Sequence, residues 1–260
     1  MKSLKTLFLG LIWLFVSSVA FSQPGNFHDS RDKVTVSVEV APKAVTPGGD
    51  AILAVILSHD EDWHSHTNDP QVPEALGDAE DYYATSLHFE LPDGSPIELH
   101  EGYTQWPETH IVQVGFLGEP VDYGVFHGKA IIYVPITISA EATFGEASFI
   151  VRPVFQTCDD LSCLQPTPTP DMDSMWDSYG ITVHVQIVDP TNAEASLPSE
   201  TFSNFDSSVF SKIRAGIEAP ANTTIDFDAF GVTFSLSTDS TWAFLLLLLV
   251  AACGGFLLNL

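Results

Sequence analysis

Hydrophobic and polar residues alternate along the middle of this chain. Residues 34–40 (VTVSVEV) and 181–188 (ITVHVQIV) carry an aliphatic side chain at every second position. A period of two is typical of half-buried β-strands, whose successive side chains point to opposite faces. Further candidate strands are 51–57, 86–91, 111–117, 130–138 and 147–155. Turn signals such as PGG and PDG separate them, and no convincing amphipathic helix interrupts them. The pattern predicts a mainly β chain, folded as a β-sandwich.

The sandwich needs only part of the chain. Residues 27–190 suffice for one such core, which would bury roughly two-thirds of its unfolded surface. Pro135 falls inside the strand predicted at 130–138, so we expect that strand to lie at a sheet edge or to contain a bulge. Residues 191–240 are rich in Ser, Thr, Asn, Asp and Ala and predict a linker, with a short strand at 231–236.

Both ends of the chain are apolar. Lys2 and Lys5 precede an apolar run at 7–20, and small residues then offer a cleavage site before Gln23. This order predicts a signal peptide at residues 1–22; the alternative, a membrane anchor, suits the short run less well. Residues 242–260 carry no charge and are long enough to cross a bilayer as a helix.

The C-terminal run predicts the start of a transmembrane region at 241–260. No Lys or Arg follows it, whereas such residues normally fix the orientation of a single span. We therefore expect the sequence to be the front part of a longer membrane protein.

The charge of the chain limits its partners. The formal net charge is −25, so nucleic acid and anionic membrane surfaces would repel the protein. An acidic surface also keeps an exported domain soluble, so the charge by itself names no partner. The sequence contains no nucleophile elbow, no P-loop and no dinucleotide fingerprint, and we expect no cofactor.

Two of the three cysteines are candidates for chemistry. Cys253 lies in the apolar tail, where a lone thiol behaves as a small apolar residue. Cys158 and Cys163 follow a predicted strand and are separated by four residues, and an oxidising compartment favours a disulfide between them. A disulfide that closes a six-residue loop stabilises a fold by only about 2 kcal/mol. Redox exchange, a structural bond and metal binding all remain open on this ground.

Several motifs resemble the DsbD family of thiol:disulfide interchange and cytochrome c biogenesis proteins. They occur in the family's order: VTPGGD at 45–50, WH at 63–64, QWP at 105–107, VPITI at 134–138 and CDDLSCLQP at 158–166. The tail LVAACGGFLLNL at 249–260 resembles the start of the family's first membrane helix. The likeness spans about residues 34–188 and the tail, and the cysteine motif is its most specific part.

The resemblance implies a fold, a site and partners. The fold would be an immunoglobulin-like β-sandwich, exposed to the periplasm and anchored to the inner membrane. Cys158 and Cys163 would take electrons from a membrane redox domain of the same protein. They would pass them to periplasmic thioredoxin-like or disulfide isomerase proteins. An aromatic side chain on a neighbouring loop would shield the pair: Tyr123 is the candidate, and Phe116 is the alternative.

A cluster of histidines and acids occupies residues 59–66 (HDEDWHSH). Its histidines and carboxylates are compatible with a metal site, or with an acidic turn that leads into a strand. The resemblance adds a third reading, in which His64 and His66 line the cysteine pocket. A protonated histidine there would favour a thiolate, while Asp159 and Asp160 would oppose it.

Two other functions compete with thiol exchange. One is a non-enzymatic, immunoglobulin-like binding module in which the disulfide is structural. The other is copper handling through the histidines.

Overall fold

The described part of the chain consists of short β-strands with few helical turns. A computed structural model describes residues 29–115, 118–192, 199–216, 224–229 and 232–237. The strands in chain order are β1 Val34–Ala41, β2 Ala44–Val45, β3 Asp50–His59, β4 His64–His66, β5 Ser86–Glu90, β6 Ile97–Leu99, β7 His110–Val114, β8 Val121–His127, β9 Lys129–Ile138, β10 Gly145–Val154, β11 Thr157–Cys158, β12 Ile181–Ile187, β13 Thr224–Ala229 and β14 Val232–Ser237. The α-helices are α1 Asp173–Asp177 and α2 Val209–Arg214. The one-turn 3₁₀ helices are Ser30–Asp32, Glu74–Leu76, Ala79–Asp81, Glu101–Tyr103, Pro190–Asn192 and Glu200–Phe202.

Eight strands form two four-stranded sheets with immunoglobulin topology. The orders are β1-β3-β9-β6 and β2-β12-β10-β5. If these eight strands are lettered A, A′ and B to G in chain order, the sheets read A-B-E-D and A′-G-F-C. This is the arrangement of an immunoglobulin-like sandwich. β2 runs parallel to β12, and the other pairs within the two sheets are antiparallel. The predicted mainly β, immunoglobulin-like fold is confirmed.

The core lies between these two sheets and is apolar. In β12, Val183, Val185 and Ile187 are buried while the residues between them are exposed, as the alternation predicts. They meet aliphatic side chains of the facing sheet in one continuous cluster. Its fully buried members include Leu53, Val55, Leu57, Ile132, Val134, Ile136, Ile138, Val151 and Phe155.

A third sheet, in the order β11-β4-β8-β7, is called here the end sheet. β4 follows β3 after a turn, β8 runs into β9 through Gly128, and β11 follows β10 after two residues. The end sheet therefore lies where β3 and β10 end and β9 begins. Gly128 has a φ of 61°, which favours glycine, and its carbonyl accepts the backbone N–H of His59 at 2.9 Å. This bond holds the junction between the sandwich and the end sheet.

Residues 199–216 pack against the outer face of the first sheet, although they fall in the segment predicted to be a linker. Phe202 is buried against Tyr133, and the Tyr133 hydroxyl donates a hydrogen bond to the Thr201 carbonyl at 2.5 Å. The Gln105 side chain exchanges two hydrogen bonds with the Asp206 backbone. This part of the predicted linker is packed structure. β13 and β14 form an antiparallel hairpin, so the strand predicted at 231–236 is present one residue later.

The predicted edge position of Pro135 is wrong, because β9 pairs with β3 on one side and β6 on the other. The break in pairing occurs instead at β6, which ends at Leu99 opposite Ile136. The Pro135 carbonyl accepts the next N–H, from His100, at 3.0 Å. Pairing stops where the proline has no N–H to donate, which allows proline in a central strand.

The predicted signal peptide at 1–22 and transmembrane segment at 241–260 lie outside the described residues. Among the residues that are described, no helix is long and apolar enough to cross a membrane.

Candidate functional site: a disulfide at the end sheet

Cys158 and Cys163 form a disulfide at the edge of the end sheet. Cys158 belongs to β11 and pairs with His64 of β4, and it also forms an isolated bridge with Cys163. The Cα atoms of the two cysteines are 4.0 Å apart, so the four intervening residues make a tight loop. The pairing proposed from the sequence is thus the one that the structure contains.

The loop is held by its first residue. The Asp159 carboxylate accepts the backbone N–H groups of Leu161 and Ser162 at 2.9 and 2.7 Å, and the Ser162 hydroxyl at 3.2 Å. Slight burial acts to raise the pKa of Asp159, but these bonds outweigh it and lower the pKa. A charged Asp159 therefore fixes the loop at neutral pH.

The two cysteines differ in exposure. Cys158 is fully buried, whereas Cys163 is exposed. Leu161, between them, is 82% exposed although it is apolar. The accessible side of the pair is therefore that of Cys163.

His66 lies directly against the buried sulfur. Its Nε2 is 3.5 Å from Cys158 Sγ, and its Nδ1 is 3.0 Å from the Tyr123 hydroxyl. Burial, together with the neighbouring His64, lowers the pKa of His66 to about 4. His66 is therefore neutral at physiological pH. The positive charge that the sequence suggested for this position is absent while the disulfide is intact.

His64 is placed on the same strand but has a different environment. Its Nε2 is buried and has no hydrogen-bond partner. Burial lowers the pKa of His64 to about 4, although Asp160 acts to raise it. The side chain lines a cavity of about 370 Å³ beside the cysteine loop, together with Trp63, His127 and Asp160. His64 is thus near the pair without contacting its sulfur atoms as His66 does.

Tyr123 lies in a strand, not in a loop as expected. It belongs to β8, is 1% exposed, and reaches the disulfide through His66. Burial raises its pKa, so its hydroxyl remains protonated. Whether Tyr123 shields the pair stays a prediction, and Phe116, the alternative, lies outside the described residues.

Two further residues of the site escaped the sequence analysis. The Tyr82 ring packs edge-on against His66, with 5.0 Å between ring centroids. The Gln156 side-chain amide donates to the Leu164 carbonyl at 3.2 Å and so ties the far side of the loop to the end of β10. Tyr82 directly follows the 3₁₀ turn Ala79–Asp81, far along the chain from both cysteines, and no sequence pattern signals its approach.

Neither family models nor curated protein sequences match the chain. Solved structures give distant likenesses. The N-terminal periplasmic domain of ScsB from Proteus mirabilis is similar over 76% of this chain and 58% of that one, at 12% identity and a TM-score of 0.34. This chain thus spans less than two thirds of the length of that structure.

Two other structures illustrate the range of the likeness. The reduced N-terminal domain of DsbD from Neisseria meningitidis is similar over 64% of this chain and 100% of that one, at 12% identity and a TM-score of 0.32. A family 123 glycoside hydrolase from Clostridium perfringens matches over 60% of this chain and 28% of that one, at 8% identity and a TM-score of 0.27. The structural neighbours include the type of domain that the sequence resembles. At such scores likeness assigns no activity, and the geometry of the site carries the functional argument.

Proposed function

We propose that this chain is a periplasmic thiol–disulfide exchange protein and that Cys158 and Cys163 are its catalytic pair. The observation that carries the proposal is the unequal exposure of the two cysteines on one short loop, with Cys158 buried and Cys163 exposed. Exchange needs one accessible sulfur to meet a partner and a second one, held nearby, to resolve the mixed disulfide. A purely structural bond has no need of such asymmetry.

The exposed sulfur attacks first. In the reduced pair, the Cys163 thiolate attacks a partner disulfide, one partner sulfur leaves as a thiolate, and a mixed disulfide forms. The Cys158 thiolate then attacks the Cys163 sulfur, which re-forms the internal disulfide and releases the second partner thiol. Two electrons pass from the pair to the partner, and the cysteines end oxidised.

His66 assists the second step. A buried Cys158 thiol has to lose its proton before it can attack, and burial disfavours the thiolate. The neutral His66 Nε2, 3.5 Å from that sulfur, is the base in reach. It takes the proton from Cys158 only transiently, because its lowered pKa disfavours a lasting imidazolium, and the released partner thiolate then takes up that proton.

The proposed partners are those that the resemblance to the DsbD family implies. The electron acceptors are periplasmic thioredoxin-like or disulfide isomerase proteins, and the donor is a membrane redox domain continuous with this chain. The predicted signal peptide and transmembrane segment support an anchored periplasmic location, and direct exchange requires no cofactor.

A trapping experiment tests the order of attack. The reduced full chain with Cys158→Ser should accumulate a mixed disulfide with a thioredoxin-like acceptor, because the resolving sulfur is missing. The matched variant Cys163→Ser should trap little, since its remaining thiol is buried. The proposal is wrong if the wild-type reduced chain reduces no such acceptor, or if a chain lacking both cysteines does so equally well.

The shielding role of Tyr123 needs a separate test. Tyr123→Phe removes the hydroxyl that holds His66 and keeps the ring, whereas Tyr123→Ala removes both. If the ring shields the disulfide, only the alanine variant should speed reduction by a small thiol. Acceleration by Phe116→Ala alone would assign the role to Phe116.

The rival reading, a binding module with a structural disulfide, predicts a different reduction potential. Structural disulfides of exported proteins have potentials below about −300 mV, and exchange-active ones lie higher. A titration against a glutathione or dithiothreitol buffer therefore separates the two functions.

A further inference from the structure

We propose that the reduced pair, together with His66, forms a binding site for a thiophilic d¹⁰ metal ion such as Zn²⁺. The inference goes beyond thiol exchange and requires only that the disulfide can be reduced. Within the described ranges, one group brings three ligating atoms of His, Cys, Asp or Glu together, namely Cys158 Sγ, Cys163 Sγ and His66 Nε2, all within 4.8 Å of one another. The cluster at 59–66 that the sequence suggested as a metal site contributes His66 alone to this group.

The distance between the buried ligands already suits a metal. Two ligands on a tetrahedral Zn²⁺, a sulfur at about 2.3 Å and a nitrogen at about 2.0 Å, are separated by about 3.5 Å. Cys158 Sγ and His66 Nε2 are 3.5 Å apart. The pair of atoms that is fully buried therefore needs no rearrangement.

The third ligand is the one that is free to move. Two sulfur ligands on Zn²⁺ lie about 3.8 Å apart, so the Cys163 sulfur has to swing outward after reduction. Cys163 is exposed, and its side chain has room for this rotation. Four residues between two cysteines is also within the spacing found in structural zinc sites, which is about two to four.

The surroundings of His66 are those of a metal ligand. Metal-bound histidines generally use their second ring nitrogen to contact an oxygen atom, which fixes the ring. Tyr123 supplies that oxygen, 3.0 Å from Nδ1. The tautomer with its proton on Nδ1 leaves the Nε2 lone pair directed at the sulfur.

Reduction of the disulfide and binding of the metal require only a phosphine, water and Zn²⁺. A phosphine reductant and water cleave the disulfide to two thiols and leave the phosphine oxide. Zn²⁺ then displaces one proton from each thiol and is bound by two thiolates and one imidazole. The fourth position faces solvent on the side of Cys163 and takes a water molecule. A pair held in this way has no free thiolate, so the metal competes with thiol acceptors.

The test is a Zn²⁺ titration of the full chain, reduced with phosphine, against a chromophoric chelator. The reduced wild type should bind one Zn²⁺, and the oxidised chain should bind none at this site. X-ray absorption should give two Zn–S distances of about 2.3 Å and one Zn–N distance of about 2.0 Å. A reduced chain that binds no more Zn²⁺ than the oxidised chain overturns the proposal, since acidic surface groups would explain both.

Histidine variants test the assignment of the ligand. Loss of a residue that orients a metal ligand lowers metal affinity by about 10- to 100-fold, so Tyr123→Phe should lower it about tenfold. His66 is itself a ligand, so His66→Ala should lower the affinity by at least about 100-fold. His184→Ala, at an exposed position on β12, is the matched control and should bind as wild type. An unchanged affinity in His66→Ala, or a loss in His64→Ala as large as that expected for His66→Ala, overturns the site.

Exchange is measured separately, with excess chelator present. A chain that reduces its acceptor under these conditions and yet fails the Zn²⁺ titration contradicts the metal site and leaves the proposed exchange function standing. A chain that binds Zn²⁺ and yet reduces no acceptor supports the metal site and contradicts the proposed exchange function.

Discussion

The sandwich and the end sheet bury different kinds of side chain. Between the two sandwich sheets the buried cluster is aliphatic and aromatic throughout. The end sheet has a small apolar cluster of its own around Val114, Tyr123 and Val125. Phe126 of β8 is also buried and belongs to the sandwich cluster. The remaining buried residues of the end sheet are polar or reactive: His64, Ser65, His66, Thr157 and Cys158.

This difference indicates what each region is for. Apolar burial stabilises a fold by about 25 cal/mol per Å², whereas a buried polar group costs free energy unless it is hydrogen-bonded. The end sheet accepts that cost, as the unpartnered His64 Nε2 shows. Apolar burial in the sandwich stabilises the fold, whereas the end sheet holds titratable groups beside a disulfide at some cost in stability.

The largest expected effect comes from the sandwich core. Phe149 is 2% exposed and packs against Phe89 from the neighbouring strand. Phe149→Ala should lower the free energy of unfolding by about 3–5 kcal/mol, as large-to-small core changes do. Phe144→Ala, at a position that is 60% exposed, is the control and should change it by less than about 0.5 kcal/mol. Urea denaturation measures both. Thiol exchange by the folded fraction of Phe149→Ala should equal that of wild type, and a slowed rate would mean that the two regions are not separable.

Acid should destabilise the fold through the buried histidines of the end sheet. The folded-state pKa values of His64 and His66 are about 4, below the ordinary value of 6.5, so the unfolded chain binds more protons between these pH values. The free energy of unfolding is therefore highest above about pH 6.5. It falls as the pH drops toward 4, by roughly 3 kcal/mol for one such histidine. Denaturation measured from pH 7 to 4 should show this slope.

Variants assign the slope to the end sheet. His66→Gln should remove part of it, while His184→Gln, at an exposed position, should keep all of it. His59, His127, Asp159 and Asp160 also act on His64, so its share depends on their charges. A slope that is unchanged in His64→Gln and His66→Gln would place the acid sensitivity in another region.

Reduction of the disulfide should have a smaller effect on stability. The closed loop contains six residues, which corresponds to about 2 kcal/mol of unfolded-state entropy. The reduced chain should therefore remain folded, with a free energy of unfolding about 2 kcal/mol lower. Circular dichroism with and without reductant measures the change. Global unfolding on reduction would make the bond structural and would count against exchange.

The smallest effect on stability is expected at the tip of the cysteine loop. Leu161 is 82% exposed, so Leu161→Ser should change the free energy of unfolding by less than about 0.5 kcal/mol. It should nevertheless raise the KM for a protein acceptor about fivefold, the effect of losing about 1 kcal/mol of apolar contact. Ile111→Ser, exposed on the opposite edge of the end sheet, is the control. Equal KM values for both variants would show that partners do not dock on the loop.

The sequence predicted the sandwich better than the end sheet. The candidate strands at 34–40 and 181–188 correspond to β1 and β12, because a long strand with one buried face leaves a clear period of two. The candidate at 51–57 corresponds to β3, a continuous apolar run that is buried on both faces. β4 and β11 have three and two residues, too few for any period. They form because longer strands carry them into position.

The sequence named candidate residues for the site, but it did not show how they are arranged. The local sequence separation and the resemblance identify Cys158 and Cys163 as a pair. The sequence also suggested His66 as a pocket residue, but as a possible cation, and burial keeps the ring neutral. Burial and the approach of Tyr82 depend on contacts between distant segments, which no local pattern encodes.

The connectivity of the end sheet has a consequence for the order in which the protein matures. His66 and Cys158 are 92 residues apart in the chain, whereas the two cysteines are separated by five. Closing the short loop requires little ordering of the chain, but bringing β4 to β11 requires the sandwich strands between them to be in place. We therefore expect a chain that folds in an oxidising compartment to be oxidised while it is still unfolded. The pair would then first be reduced inside a finished pocket, after His66 has already covered one of its sulfur atoms.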